Sequence, residues 1–153
     1  MHLSWFLSNL PCAYAAAVAW GLIAFSLSFV VHRHAIIDVF WGAGFLVVAV
    51  ESILLSLTHH GPALSAIHYV LVGAVAVWSL RLSVFLAFRQ RGAGEDPRYV
   101  AILRNAKGSN ESLKALKIIY LLQATLLWLV SLPLQWVASS RITLNAALVV
   151  LGA

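Results

Sequence analysis

Charge is what this sequence has least of. Only 10% of its 153 residues are Asp, Glu, Lys or Arg, against about 25% in soluble domains. Hydrophobic residues make up 62%, and a soluble fold of this length has no core large enough to hide them. An ordinary water-soluble domain is excluded, and a bilayer is the simplest solvent. The single cysteine, Cys12, excludes an internal disulfide and offers no partner for a thiolate metal centre. It reads as a small apolar residue at a membrane boundary. No Lys or Arg occurs in the N-terminal stretch 1–11, so the charged head of a secretory signal is missing. The apolar run behind it, residues 11–31, also exceeds the roughly 7–15 residues of a signal core. No repeat and no low-complexity tract is present.

What is there is a succession of apolar runs. Runs at 11–31, 36–57, 66–88 and 118–138 are each close to the ~20 residues that cross a bilayer. A fifth, 142–153, is about 18 Å long as a helix, too short to span. The expected fold is all-α: one membrane domain, 1–153, with four full transmembrane helices and a truncated fifth. Ala15, Ala16, Ala17, Ala19, Gly21 and Ala24 permit close helix packing in the first span. Pro133 in the fourth span is tolerable where neighbours satisfy the freed carbonyl. Gly61-Pro62 marks the reversal between the second and third spans.

The polar residues are concentrated in one loop, 89–117, which holds seven of the ten Lys and Arg. With Arg33, one side of the bundle carries eight basic residues, and the other carries only Arg141. By the positive-inside rule the loop is cytoplasmic and the N-terminus outside, in a bacterial inner membrane as the expected setting. The net charge of +5 and pI of 9.9 therefore read as topogenic and not as a nucleic-acid footprint. Inside the loop, Asp96-Pro97 is an N-cap and first-turn signal for a short interfacial helix, 98–107, stopped by Gly108.

Asp38, Glu51 and Arg81 fall inside apolar runs, where an unpaired charge costs about 2.5–3.5 kcal/mol. In a symmetric hairpin of the second and third spans, Asp38 lies level with Arg81 and Glu51 with His68. Matched depth favours pairing. Asp38 and Glu51 are about 140° apart around the helix, so only one acid can face the third span directly. Asp38–Arg81 is the expected contact, and these four residues form a candidate polar site. Locking the helices together is an equally simple role for them. Arg89, Arg91 and Arg98, with Tyr99, are candidate phosphate contacts; pairing with acids and lipid head groups is the plainer reading. No metal site is expected.

The stretches Asp38 to Phe45 (DVFWGAGF), Trp78 to Leu82 (WSLRL), Arg89, Gly94 to Tyr99 (GEDPRY), Gln123 and Ser131 to Pro133 carry a resemblance. In that order they resemble the N-terminal half of membrane proteins grouped as domain of unknown function 1295, which are similar to the steroid 5-alpha-reductase C-terminal superfamily. The resemblance covers about residues 36–135. It implies a multi-span helical oxidoreductase that uses NADPH to reduce a carbon–carbon double bond in a lipid or steroid-like substrate. The family's second half, with most of its cofactor-binding surface, has no counterpart here, so the chain is expected to be a fragment. A missing C-terminal half or a second copy would then be its partner, beside the lipid bilayer. A non-catalytic membrane subunit is the alternative. A small proton-coupled transporter is a third class, against which the lack of an inverted repeat counts. No catalytic residue is assigned.

Overall fold

A computed structural model describes residues 3–60, 64–104 and 109–140. The described residues are helical, without strands. Helix α1 spans Leu3–Val31, α2 Ile36–His60 and α3 Ala66–Arg89. A short α4, Pro97–Leu103, lies in the polar loop. The fourth apolar run is one interrupted rod: α5, Ser109–Ala115, a π-helical stretch Leu116–Leu121, α6, Leu122–Val130, and α7, Leu132–Ala138. Four helical stretches are long and apolar enough to cross a membrane: Leu3–Val31, Ile36–Thr58, Ala66–Arg89 and Asn110–Val130. The protein is a multi-pass membrane helical bundle.

Two boundaries move from the sequence-based expectation. The first span begins at Leu3, because the helix continues backward through Pro11. The fourth begins well before Ile118, since Lys114 and Lys117 already lie on helix. The expected fifth run, the Gly61-Pro62 turn and the Gly108 stop lie outside the described residues.

The second helix is the hub, touching α1, α3, α6 and α7. Helix α1 approaches its neighbours along Asn9, Ala13, Ala17, Gly21, Ala24 and Ser28, a buried stripe at helical spacing. Of the six small residues expected to pack, Ala17, Gly21 and Ala24 are in this stripe, while Ala15 and Ala19 are exposed. The break between α6 and α7 follows from Pro133, whose ring cannot continue the ladder. The carbonyl of Trp128 then accepts from Ser131 Oγ at 2.8 Å and Gln135 Nε2 at 3.2 Å. Gln135 Oε1 and Ser52 Oγ accept in turn from Asn9 Nδ2, at 3.5 and 3.0 Å, which ties three spans together.

Helices α2 and α3 pack tightly at Gly42. A Cβ there would lie 2.7 Å from Ser83 Oγ and 3.3 Å from Ser83 N. Ser83 Oγ also donates to the Val39 carbonyl at 2.9 Å. Gly42→Ala is therefore expected to push the helices apart and lower stability by about 1–3 kcal/mol. Thermal unfolding in detergent checks this; an unchanged midpoint would contradict the close approach.

Candidate functional site

The site is built where α2 starts. Helix α1 ends with His32 at φ 55, and Arg33 N–H donates back to the Ser28 carbonyl at 3.3 Å, the bond that closes a Schellman turn. The chain then re-enters helix at Ile36, and the N–H groups of His34 and Ala35, just before the first turn, have no helical acceptor. Glu95, from the polar loop, supplies the acceptor. Its carboxylate accepts from His34 N–H and from Ala35 N–H, the latter at 2.9 Å, and from Asp96 N–H at 3.0 Å. A negative charge at this helix terminus is also favoured by the helix dipole.

Each following residue of Glu95-Asp96-Pro97-Arg98-Tyr99 has its own contact. Asp96 caps α4, accepting from Arg98 N–H at 2.8 Å. Its carboxylate also takes Arg98 Nε at 3.0 Å and Nη2 at 2.8 Å. These bonds hold the Asp96 carboxyl below its usual range and raise the Arg98 guanidinium above its own. A lowered folded pKa means the Asp96 contribution is present above the unfolded value near 3.8 and is lost only as pH falls through the folded one. Arg98 Nη2 reaches on to Asp38 at 3.3 Å, and buried Tyr99 donates its hydroxyl to Asp38 at 2.8 Å. Burial first, then that bond, push the Tyr99 phenol well above its ordinary range, so it stays a donor at neutral pH.

Asp38 is thus paired, but not with Arg81. No ion pair joins Asp38 and Arg81 among the described residues. The reason is rotational. Ser79 and Ser83 are buried toward α2, and Arg81, two residues from each, falls on the opposite, exposed side of α3. The helix register is also displaced from the symmetric hairpin: Ala35, expected level with Val84, meets Gln90, roughly 9 Å further along α3, whose Nε2 donates to its carbonyl at 2.9 Å. Nor do Glu51 and His68 pair. Glu51 accepts from Ser52 Oγ at 3.3 Å. His68 is buried at the start of α3, with Nδ1 against Ser65 and Nε2 3.1 Å from the Ser140 carbonyl. Glu51 lies roughly 20 Å of helix rise from Asp38. The four residues do not form one site.

Beneath the docked segment lies a cavity of about 690 Å³ between α2 and α3, bounded by residues 93–98. Ala35, Asp38 and Trp41 line it at spacing three along α2. Leu82, Leu86, Arg89 and Gln90 of α3 form the facing wall, and Gln123 of α6 also lines it. Of the candidate phosphate contacts, Arg89 and Arg98 line this cavity, Arg91 stacks on the Phe88 ring at 4.1 Å, and Tyr99 is buried on Asp38. The expected helix 98–107 forms as Pro97–Leu103, with Tyr99 and Leu103 turned into the core; residues 105–108 lie outside the described residues. Among the described residues no cluster of three metal-ligating side chains occurs. Sequence reasoning missed Glu95, Gln90, Trp41 and Gln123 as site residues. Trp41, Glu95 and Gln123 did fall within the motif stretches; Gln90 left no signal.

A family model described as protein of unknown function (DUF1295) matches residues 24–152. The chain belongs to this family. Neither the curated proteins nor the solved structures contain a match to it. Within this DUF1295 chain, the matched region takes in every element that walls the cavity.

The two partners of Asp38 should differ in weight. The Arg98 pair is largely exposed, with side-chain exposures of 69% and 24%, so Arg98→Gln is expected to cost only about 0.2–1 kcal/mol. Tyr99→Phe removes a buried donor from a carboxylate and is expected to cost about 1.5–3 kcal/mol. Unfolding midpoints of the two variants, with Arg81→Gln as a near-silent control, check the order. A larger loss from Arg81→Gln than from Tyr99→Phe would contradict it.

Proposed function

We propose that this chain is the lipid-binding membrane portion of an NADPH-dependent reductase acting on carbon–carbon double bonds of lipid or steroid-like molecules. The observation that carries the reading is the cavity at the loop end of the bundle. Charged groups, Asp38, Arg89 and Arg98, stand beside apolar walls from Leu82 and Leu86. A molecule with a polar head and a long apolar body suits that lining better than a wholly polar solute. The reaction class rests on the motif resemblance, which the family membership supports only at the level of a multi-pass membrane protein of this type.

NADPH, when bound, supplies the hydride. The described residues do not fit a complete dinucleotide clamp. Arg98 is already held by two carboxylates, Tyr99 by Asp38, and Arg91 lies over Phe88. Arg89 alone lines the cavity without a hydrogen bond or ion pair among the described residues. One guanidinium cannot cradle a pyrophosphate and a third phosphate. The residues here therefore act on the substrate side: they bind, orient and shield it. A non-catalytic membrane subunit is the second reading, favoured by the structural use of Arg98 and Tyr99.

Orientation follows from the basic asymmetry, with the loop cytoplasmic, in a bacterial inner membrane. Asn110→Cys in a Cys12→Ser background is expected to resist an impermeant thiol reagent added to intact cells; labelling from outside would contradict the orientation. For binding, the chain in nanodiscs is titrated with NADPH by fluorescence, with NADH as control, and separately with a photoactivatable steroid. No saturable NADPH binding at micromolar levels is expected, together with steroid labelling at cavity residues. NADPH-selective micromolar binding would overturn the substrate-side assignment. Labelling confined to the exposed face of α3 would overturn the cavity reading.

A further inference from the structure

Among the described residues, Arg81 is a cation inside an apolar span with no hydrogen bond and no ion pair. Eight residues, roughly 12 Å, separate it from Arg89 at the loop end of α3, so it sits near the middle of a core about 30 Å thick. A guanidinium cannot shed its proton, and such a charge in lipid is costly unless it is paired. The head groups on the loop side are poor partners for it. Every Cα–Cβ bond tilts toward the helix N-terminus, and α3 runs toward the loop, so the Arg81 side chain sets out away from them. Arg89 and Arg91, at that end of the helix, are better placed to meet an anionic head group.

The surface around Arg81 has the pattern of a helix seam. Helix α3 packs on α2, touches α7, and is the least buried of the four spans. On its other side Val70, Ala74, Val77, Arg81, Val84 and Phe88 are all exposed. Their spacing alternates between four and three, the 3.5-residue period by which one helix keeps a continuous seam against another. Such a seam suits the crossing angle of about +20° that is common in membrane bundles. Beside it Gly73 has open space where a Cβ would stand, which lets a neighbouring backbone come close. A single polar residue in an apolar seam fixes the register, because only one alignment pairs it.

The carboxylate that would pair with Arg81 is not among the acids of this sequence, which are Asp38, Glu51, Glu95, Asp96 and Glu111. Glu95 is seated at the start of α2, and Asp38 and Asp96 hold Arg98. Ala35 against Gln90 and Gly42 against Ser83 set a register in which Arg81 is level with Gly44. Glu51 therefore lies roughly 10 Å further from the loop. Glu111 stands at the loop end of its own span. A second copy, held in the same orientation by the basic asymmetry, brings both acids in at those same depths. We infer that the exposed face of α3 seats a transmembrane helix from outside this sequence, carrying an Asp or Glu level with Arg81. The inference is independent of what the cavity binds.

The test uses the full chain, labelled at exposed Cys12, in phosphatidylcholine vesicles, and Leu/Ala peptides of about 23 residues labelled for energy transfer. One peptide carries Glu at its centre, a second Gln there, and a third Glu moved roughly 10 Å toward one end. Arg81 lies near the midplane, so a central Glu meets it in either peptide orientation. The central-Glu peptide is expected to associate at least roughly fivefold more tightly than the other two. Arg81→Gln is expected to abolish that preference and Arg81→Lys to keep part of it. Should the variants fail to fold, the three peptides against the wild-type chain still decide. Equal association of all three would overturn the carboxylate partner, and a preference that survives Arg81→Gln would overturn Arg81 as its seat. Loss of the preference when phosphatidylglycerol replaces phosphatidylcholine would assign the guanidinium to anionic head groups. Self-association of the labelled chain that Arg81→Gln abolishes would assign it to a second copy. Either result would overturn the partner helix.

Discussion

The docking of Glu95 onto the start of α2 is the contact on which the loop end depends. The link into α2 runs from His32 to Ala35, and its His34 and Ala35 amides have no acceptor in either flanking helix. The acceptor arrives from a residue about sixty positions later in the chain. With Glu95 seated, Arg98 and Tyr99 fall beside Asp38. Arg33 then closes the other side, donating to the carbonyls of Gln90 and Ala93. Loop, hub helix and the end of α3 become one unit, and the space left between them is the cavity.

The spans themselves were legible, because length and apolarity alone decide whether a helix can cross a bilayer. The Asp96-Pro97 cap was legible too, since its signal is local. Partners were not. Asp38 was matched with Arg81 by assuming a hairpin folded symmetrically about its turn, an assumption that periodicity cannot check. Helix rotation turned Arg81 outward, and the acid took its partners from the loop instead. Glu95 looked like one of several loop charges, and nothing in sequence spacing links it to His34. Pro11 read as a boundary, yet α1 carries it as an interior residue.

The same logic bears on function. Most polar groups of the bundle are spent on one another; among the described residues the buried side-chain atoms left without a partner are Asn9 Oδ1, Trp41 Nε1 and Ser79 Oγ. His34 faces Tyr120 at 3.1 Å, and at the far end Asn9 Nδ2 donates to Ser52 and Gln135 while Asn9 Oδ1 stays without a partner. Around the cavity, Arg89 and Gln123 make no hydrogen bond among the described residues, and Arg89 acts on Asp96 through its charge alone. The Glu95–Tyr99 part of the motif is therefore mostly scaffold, while Trp41, Arg89 and Gln123, from its other stretches, line the cavity.

Amide hydrogen exchange at the α2 terminus tests the account most directly. In wild-type protein in nanodiscs, the His34 and Ala35 amides should exchange slowly, and in Glu95→Ala they should lose protection while the amides of α3 keep theirs. Equally fast exchange at both positions in the two proteins would mean that Glu95 does not seat on α2, and the docked segment with its cavity would go with it.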